Sequence, residues 1–174
     1  HRSGPPAFGL PFKTYIGSIP LDNAPSDVWT AFYAERRLLP QVRMAVDSGR
    51  AGSRLAADMG RLVSRLDGLA GDPEPPSRIH GDLWSGNRLF SVDGLPYLID
   101  PSPCAAHREL DIAMMHLFGG FPARCLDAYQ EEHPLQAGWQ DRIPLYQLFY
   151  LLAHVNLHGP GWMQSVRGAL DRLL

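Results

Sequence analysis

The sequence predicts a mainly α-helical α+β domain, and three observations predict it. Apolar residues recur at helical spacing in four separate stretches. One pair of short β-type runs, joined by Asp93-Gly94, interrupts them. A balance of 45% apolar to 20% charged residues is that of an ordinary globular chain. The 174 residues suffice for one well-buried core, with no internal repeat. Gly71–Pro76 is the one linker-like stretch and is too short to separate domains, so residues 1–174 are expected to form a single unit.

Residues up to Pro25 are rich in Gly and Pro and read as irregular. Ser26 then reads as an N-cap for a helix from Asp27, whose carboxylate suits the positive end of the helix dipole. Val28, Trp29, Phe32, Tyr33 and Arg36 mark its stripe, with Arg36 and Arg37 expected on a solvated face. Leu55, Met59, Leu62, Leu66 and Leu69 mark a second helix, stopped by Gly71. Leu89-Phe90 and Pro96–Ile99 are strand-like on either side of the turn signal. Leu110, Ala113, Met114, Leu117 and Phe118 mark a buried helix ended by Gly119-Gly120. Tyr146, Phe149, Tyr150 and Ala153 mark the last stripe, with a break at Gly159-Pro160-Gly161. Asp141 and Arg142, ahead of it, read as solvated.

Composition excludes several function classes. A net charge of −2 with dispersed arginines offers no basic patch for nucleic acid. No apolar run reaches the length of a membrane span. Cys104 and Cys125 form neither a metal motif nor a disulfide framework, so free thiols in a reducing cytoplasm are expected.

The chemistry-bearing stretch is Arg78–Asn87, answered by Leu98-Ile99-Asp100. It sets Asp82, then Asn87 five residues later, then Asp100 beyond the predicted hairpin. Phosphoryl transfer to an alcohol needs those groups: a carboxylate to take the hydroxyl proton, and an amide oxygen with a second carboxylate to hold Mg²⁺ between the phosphates of ATP. Protein kinases use the same order, Asp-x-x-x-x-Asn followed by a metal-binding Asp. Asp82 is therefore the candidate base, and Asn87 and Asp100 are the candidate metal ligands. The competing reading of Asp82 is a turn or cap residue. His80 and Asp111 read as structural support. A buried carboxylate at 111 can accept backbone N–H groups of the loop that would otherwise be unpaired. Trp84 is open to two readings, core aromatic or flat partner for a sugar's C–H face. His154 and His158 share a helical face at i, i+4, yet lack the Glu and third ligand of a metal site and read as core.

His80–Asn87 as H-G-D-L-W-S-G-N, Ile99-Asp100-Pro101, His107–Met114 and Leu117–Phe121 together resemble the fructosamine kinase (ketosamine-3-kinase) family. Phe32–Gln41 is similar to its F-x-A-E-R-R-L-x-P-Q helix, and the run through His154-Val155-Asn156-Leu157 to its last helices. H-G-D-x-x-x-x-N alone is shared with aminoglycoside phosphotransferases and choline kinases. Trp84 and the two later runs narrow the likeness. The resemblance implies a kinase-like C-terminal lobe, ATP and Mg²⁺ as cofactors, and transfer to the 3-hydroxyl of ketosamines on small molecules or proteins, a deglycation activity.

The chain departs from that family at Lys13-Thr14, where relatives often carry Asp-Asn. It departs again at Pro103–Ala106, where an aromatic pair is usual, and at Gly159–Trp162, where relatives have G-G-G-Y. The only lysine is Lys13, and no glycine-rich loop precedes it. The sequence therefore reads as a C-terminal lobe whose N-terminal lobe is missing, inactive by itself. Two other readings are a non-catalytic remnant that binds or regulates, and a kinase for another alcohol.

Overall fold

The computed structural model describes residues 1–174. The chain opens with a hairpin of β1 (Thr14–Ile16) and β2 (Ile19–Leu21), then α1 (Trp29–Tyr33), a π-helical turn at Ala34–Leu38, α2 (Leu39–Asp47), α3 (Ser53–Val63) and α4 (Leu66–Leu69). Next come β3 (Ser77–Ile79), a 3₁₀ turn at Ser85–Asn87, β4 (Arg88–Phe90), β5 (Pro96–Leu98), β6 (Cys104–Ala106) and α5 (Glu109–Phe118). The chain closes with α6 (Ala123–Glu132), α7 (Trp139–His158), a 3₁₀ turn at Pro160–Trp162 and α8 (Met163–Leu173). About half the residues are helical, and the strands form three antiparallel pairs, β1–β2, β3–β6 and β4–β5.

α7 is the axis. Leu145, Tyr146, Leu148–Ala153 and Val155 are all buried, so the helix is apolar around its whole circumference, as a helix enclosed by others must be. α2, α5 and α8 pack on it. Polar ties fix their register. The Tyr33 hydroxyl donates to Leu145 O at 2.8 Å, and the Asn156 amide donates to Gln41 O at 2.9 Å. Thirty-five buried apolar residues form one cluster running from Phe8 to Leu173.

Several expectations change. The first helix starts at Trp29, not Asp27. The Ser26 hydroxyl makes a local turn with Val28 instead of a cap, and Val28 faces solvent. The opening stretch is not irregular throughout, since it holds the β1–β2 hairpin. The second stripe breaks at Ser64-Arg65 into α3 and α4. Arg37 is not solvated. The π turn carries it inward, where its guanidinium donates to Asp22 O at 2.8 Å and Asn23 Oδ1 at 2.5 Å and lies 4.8 Å from the Phe32 ring centroid. Arg142 is not solvated either, being paired in two bonds with buried Glu109 at 2.6 and 2.8 Å.

The β4–β5 hairpin forms as expected, with Arg88 opposite Leu98 and Gly94 at φ +78° in its turn. Its apolar side chains, among them Phe90, Val92, Leu95 and Tyr97, face solvent. No helix is long and apolar enough to cross a membrane.

Candidate active site

Two short strand pairings assemble the site. β3 pairs with β6, Ile79 opposite Cys104, and so starts the His80–Asn87 loop beside residues 100–103. Gly81 is pressed against that neighbouring segment. A Cβ there would lie 1.8 Å from Ser102 O, and its φ of +80° is one that side-chain-bearing residues rarely adopt. The second pairing, β4–β5, returns the chain so that Ile99 N–H donates to Asn87 O at 3.0 Å. Asn87 and Asp100 thus meet across thirteen positions of sequence.

Asn87 is buried and directs its amide N–H groups at Asp82 O (2.9 Å) and Asp82 Oδ2 (3.1 Å). Because both neighbours are acceptors, the amide must face them with nitrogen, which leaves Oδ1 free. The Asp100 carboxylate makes no hydrogen bond or ion pair within the chain, and Asp100 sits at φ +51° ahead of Pro101. A non-glycine residue in that region is strained by about 1–3 kcal/mol, and such strain concentrates at working sites. Burial raises the Asp82 carboxyl above its ordinary pKa, opposed by the Asn87 hydrogen bond and the nearby His80 ring and reinforced by the Asp100 and Asp111 charges.

The loop is held from behind. Asp111, 1% exposed, accepts His80 N–H at 2.7 Å and Gly81 N–H at 2.8 Å, and His1 Nε2 lies 3.1 Å from the same carboxylate. Burial pushes this carboxyl up, while the two amide donors pull it back. The His80 ring spans the site's two halves. Its Nδ1 accepts Asp82 N–H at 3.3 Å, so Nε2 carries the proton and donates to Ile99 O at 3.0 Å.

Asp82 lies on the wall between two cavities. One, of about 320 Å³, is polar and contains Asp82, Asp100, Ser102 and Thr14. The other, of about 440 Å³, is aromatic and contains Trp84, Phe118, His154 and Trp162. Trp84 is 38% exposed and meets Phe118 edge-on with centroids 5.9 Å apart, so it is a cavity wall and not core. The sequence reading missed Phe118, His154 and Trp162. His154 is not core. Its Nδ1–H donates to Tyr150 O at 2.8 Å, it packs 4.6 Å from Trp162, and burial lowers its pKa. The i, i+4 spacing had flagged this histidine. Its partner Trp162 lies beyond the glycine-proline break, where helical spacing gives no guidance.

The site thus brings together a half-buried carboxylate, an amide oxygen and a second, unpaired carboxylate. The profile of the fructosamine kinase family matches residues 1–174. The chain belongs to that family. A "Probable ketoamine kinase" of Enterococcus faecium is 39% identical over 100% of this chain and 62% of its own length. The "Probable ketoamine kinase YniA" of Escherichia coli is 37% identical over 99% of this chain and 59% of its own. A solved structure from Thermobifida fusca, described as a "putative fructosamine-3-kinase", superposes with a TM-score of 0.91 at 45% identity, covering 99% of this chain and 60% of that one. The chain therefore spans about three-fifths of the length of these relatives.

Proposed function

We propose that this chain is the catalytic lobe of an ATP-dependent kinase that phosphorylates the sugar 3-hydroxyl of ketosamines. The observation that carries the proposal is that Asp82 and Asp100 line one polar cavity and buried Asn87 bridges them, bonded to Asp82 Oδ2 and 3.5 Å from Asp100 O, with Asn87 Oδ1 and the Asp100 carboxylate unpaired. All-oxygen donors suit a hard cation. One amide oxygen and one carboxylate leave most of its shell to water and phosphate, the usual case for Mg²⁺.

Mg²⁺-ATP, when bound, supplies the phosphoryl group and offsets its negative charge. Asn87 Oδ1 and Asp100 are the groups that would hold the cation, and Asp82 is the one that would take the proton of the attacking hydroxyl. The raised carboxyl of Asp82 makes it a stronger base than an exposed aspartate. Asp111 and His80 keep the loop's shape. Trp84, Phe118, His154 and Trp162 receive the acceptor. That cavity holds no carboxylate besides Asp82, which favours an acceptor with one positive charge over a polycationic aminoglycoside.

The test expresses the protein from its full reading frame and compares kcat/KM for fructosyl-lysine, ribulosyl-lysine, kanamycin and choline, with ³¹P NMR locating the phosphate. Highest efficiency on a ketosamine, with phosphate on O3, is expected. Higher efficiency on kanamycin or choline overturns the acceptor class, and no transfer to any alcohol overturns the kinase reading.

A further inference from the structure

A third cavity, of about 330 Å³, lies between the start of α1, α4 and the Gly71–Glu74 loop and shares no residue with the two beside Asp82. Its floor is His107, 2% exposed, stacked on Tyr146 at 5.2 Å with 13° between planes and lying 5.9 Å from Trp29. Glu109 N–H donates to His107 Nδ1 at 3.3 Å, which places the ring proton on Nε2. That Nε2–H is buried and has no acceptor. The nearest carboxylate oxygen, Glu74 Oε2, is 3.9 Å away, and both Glu74 oxygens already hold Arg108 at 2.8 Å. An orphaned donor at this depth costs about 1–3 kcal/mol unless something within the cavity accepts from it.

The mouth is acidic. Asp27, Asp67 and Asp72 line it, and no Lys or Arg does. Asp67 accepts the Thr30 hydroxyl at 2.6 Å through one oxygen, while the Asp27 and Asp72 carboxylates bond nothing in the chain. A bare metal ion does not suit the place, because its acidic groups do not converge as a ligand set. A polyatomic cation can span them, and the Trp29 ring on the wall offers it an aromatic face. The same molecule must present an oxygen to His107.

We infer that this cavity is a second ligand site, separate from the phosphotransfer site, that takes a small hydroxylated amine. Its ammonium lies among Asp27, Asp67 and Asp72, and its hydroxyl accepts from His107 Nε2. The hydroxyl can in turn donate to the outer carboxylates, so each polar group of such a ligand finds a complementary partner.

The test titrates the chain with ethanolamine, ethylamine and ethylene glycol while ¹H–¹⁵N NMR follows the His107 ring, assigned through His107→Phe. Ethanolamine is expected to shift Nε2 saturably. Ethylamine lacks the acceptor and ethylene glycol the charge, and each should bind about tenfold more weakly or worse. The Asp72→Asn substitution, at an exposed position that does not threaten folding, should weaken ethanolamine by a similar factor. Equal binding of ethylamine removes the hydroxyl contact and overturns the inference, as does a response that never saturates. Loss of the shift in Asp82→Asn would assign the binding to the catalytic cavity and also overturn it.

Discussion

The chain uses acidic residues in two regions with opposite results. In the ion-pair cluster of Glu74, Arg108, Glu109 and Arg142, every carboxylate is fully engaged: Glu74 holds Arg108 in two bonds of 2.8 Å, and Glu109 holds Arg142 at 2.6 and 2.8 Å. At the candidate site, Asp82 has one amide partner, at 3.1 Å, and Asp100 has none. The residue types are alike, and the difference lies in how many donors each carboxylate meets. Saturated carboxylates fix structure. Under-satisfied ones keep lone pairs for a proton or a cation. Asp111 stands between the regions, as buried as the first set and bonded to the second.

Substitutions should separate the two regions. The largest effect is expected at Asp82→Asn in the protein expressed from its full reading frame, where kcat falls about 10²–10⁴-fold with the loss of a general base. Because Asp82 is a partly buried carboxyl already pushed toward its neutral form, the melting temperature should hold or rise slightly. Parental turnover in that variant would disprove the base assignment. Arg142→Met should do the reverse, destabilising the chain by about 3–5 kcal/mol in urea unfolding by stranding Glu109, which is 3% exposed. Adding Glu109→Leu should restore most of that loss; a double variant no better than the single one would mean the pair was net stabilising.

A smaller effect tests the paired region through pH. Burial holds the His107 imidazole neutral down to about 4, against an ordinary value of 6.5. The unfolded chain binds a proton as pH falls through 6.5, and the folded chain only as it falls through about 4. Stability from this group is therefore whole above 6.5 and drains away toward pH 4, by about 3 kcal/mol. Unfolding curves across that window should flatten in His107→Phe, and an unchanged pH slope would rule this ring out as the cause. The smallest effect is expected at Trp84→Ala, which should raise KM for a fructosyl-lysine analogue about three- to tenfold while sparing KM for ATP, since a cation–π contact contributes about 0.5–2 kcal/mol. A rise in both would make Trp84 a loop support instead of a cavity wall.

The helices α1, α3, α5 and α7 announced themselves through apolar residues repeated over several turns, and the β4–β5 hairpin because Asp-Gly marks its turn. α6 buries no residue and shows no stripe, and α8 was missed although Val166, Ala169, Leu170 and Leu173 form one. The three-residue strands β1, β2, β3 and β6 are too short for any period to register. Arg37 and Arg142 were misplaced for one reason: their partners Asn23 and Glu109 lie 14 and 33 positions away, and no local pattern reveals a distant acceptor. At the site, Asp82, Asn87 and Asp100 were legible because a loop and a hairpin supply the fold between them. The aromatic cavity was not, since Phe118, His154 and Trp162 come from three separate elements that only packing brings together.

Gly81 carries a consequence for heredity. Every other amino acid has a Cβ, and at this position that atom would lie 1.8 Å from the backbone oxygen of Ser102. No missense change of its codon is therefore mild, however small the new side chain. Gly94, at nearly the same φ, has open space around its missing Cβ, so asparagine or aspartate can stand there at little cost. In a saturation library selected for activity, the two glycines should give opposite rows, one empty and one partly filled, and a lineage could drift at the hairpin's tip while remaining frozen within the His80–Asn87 loop.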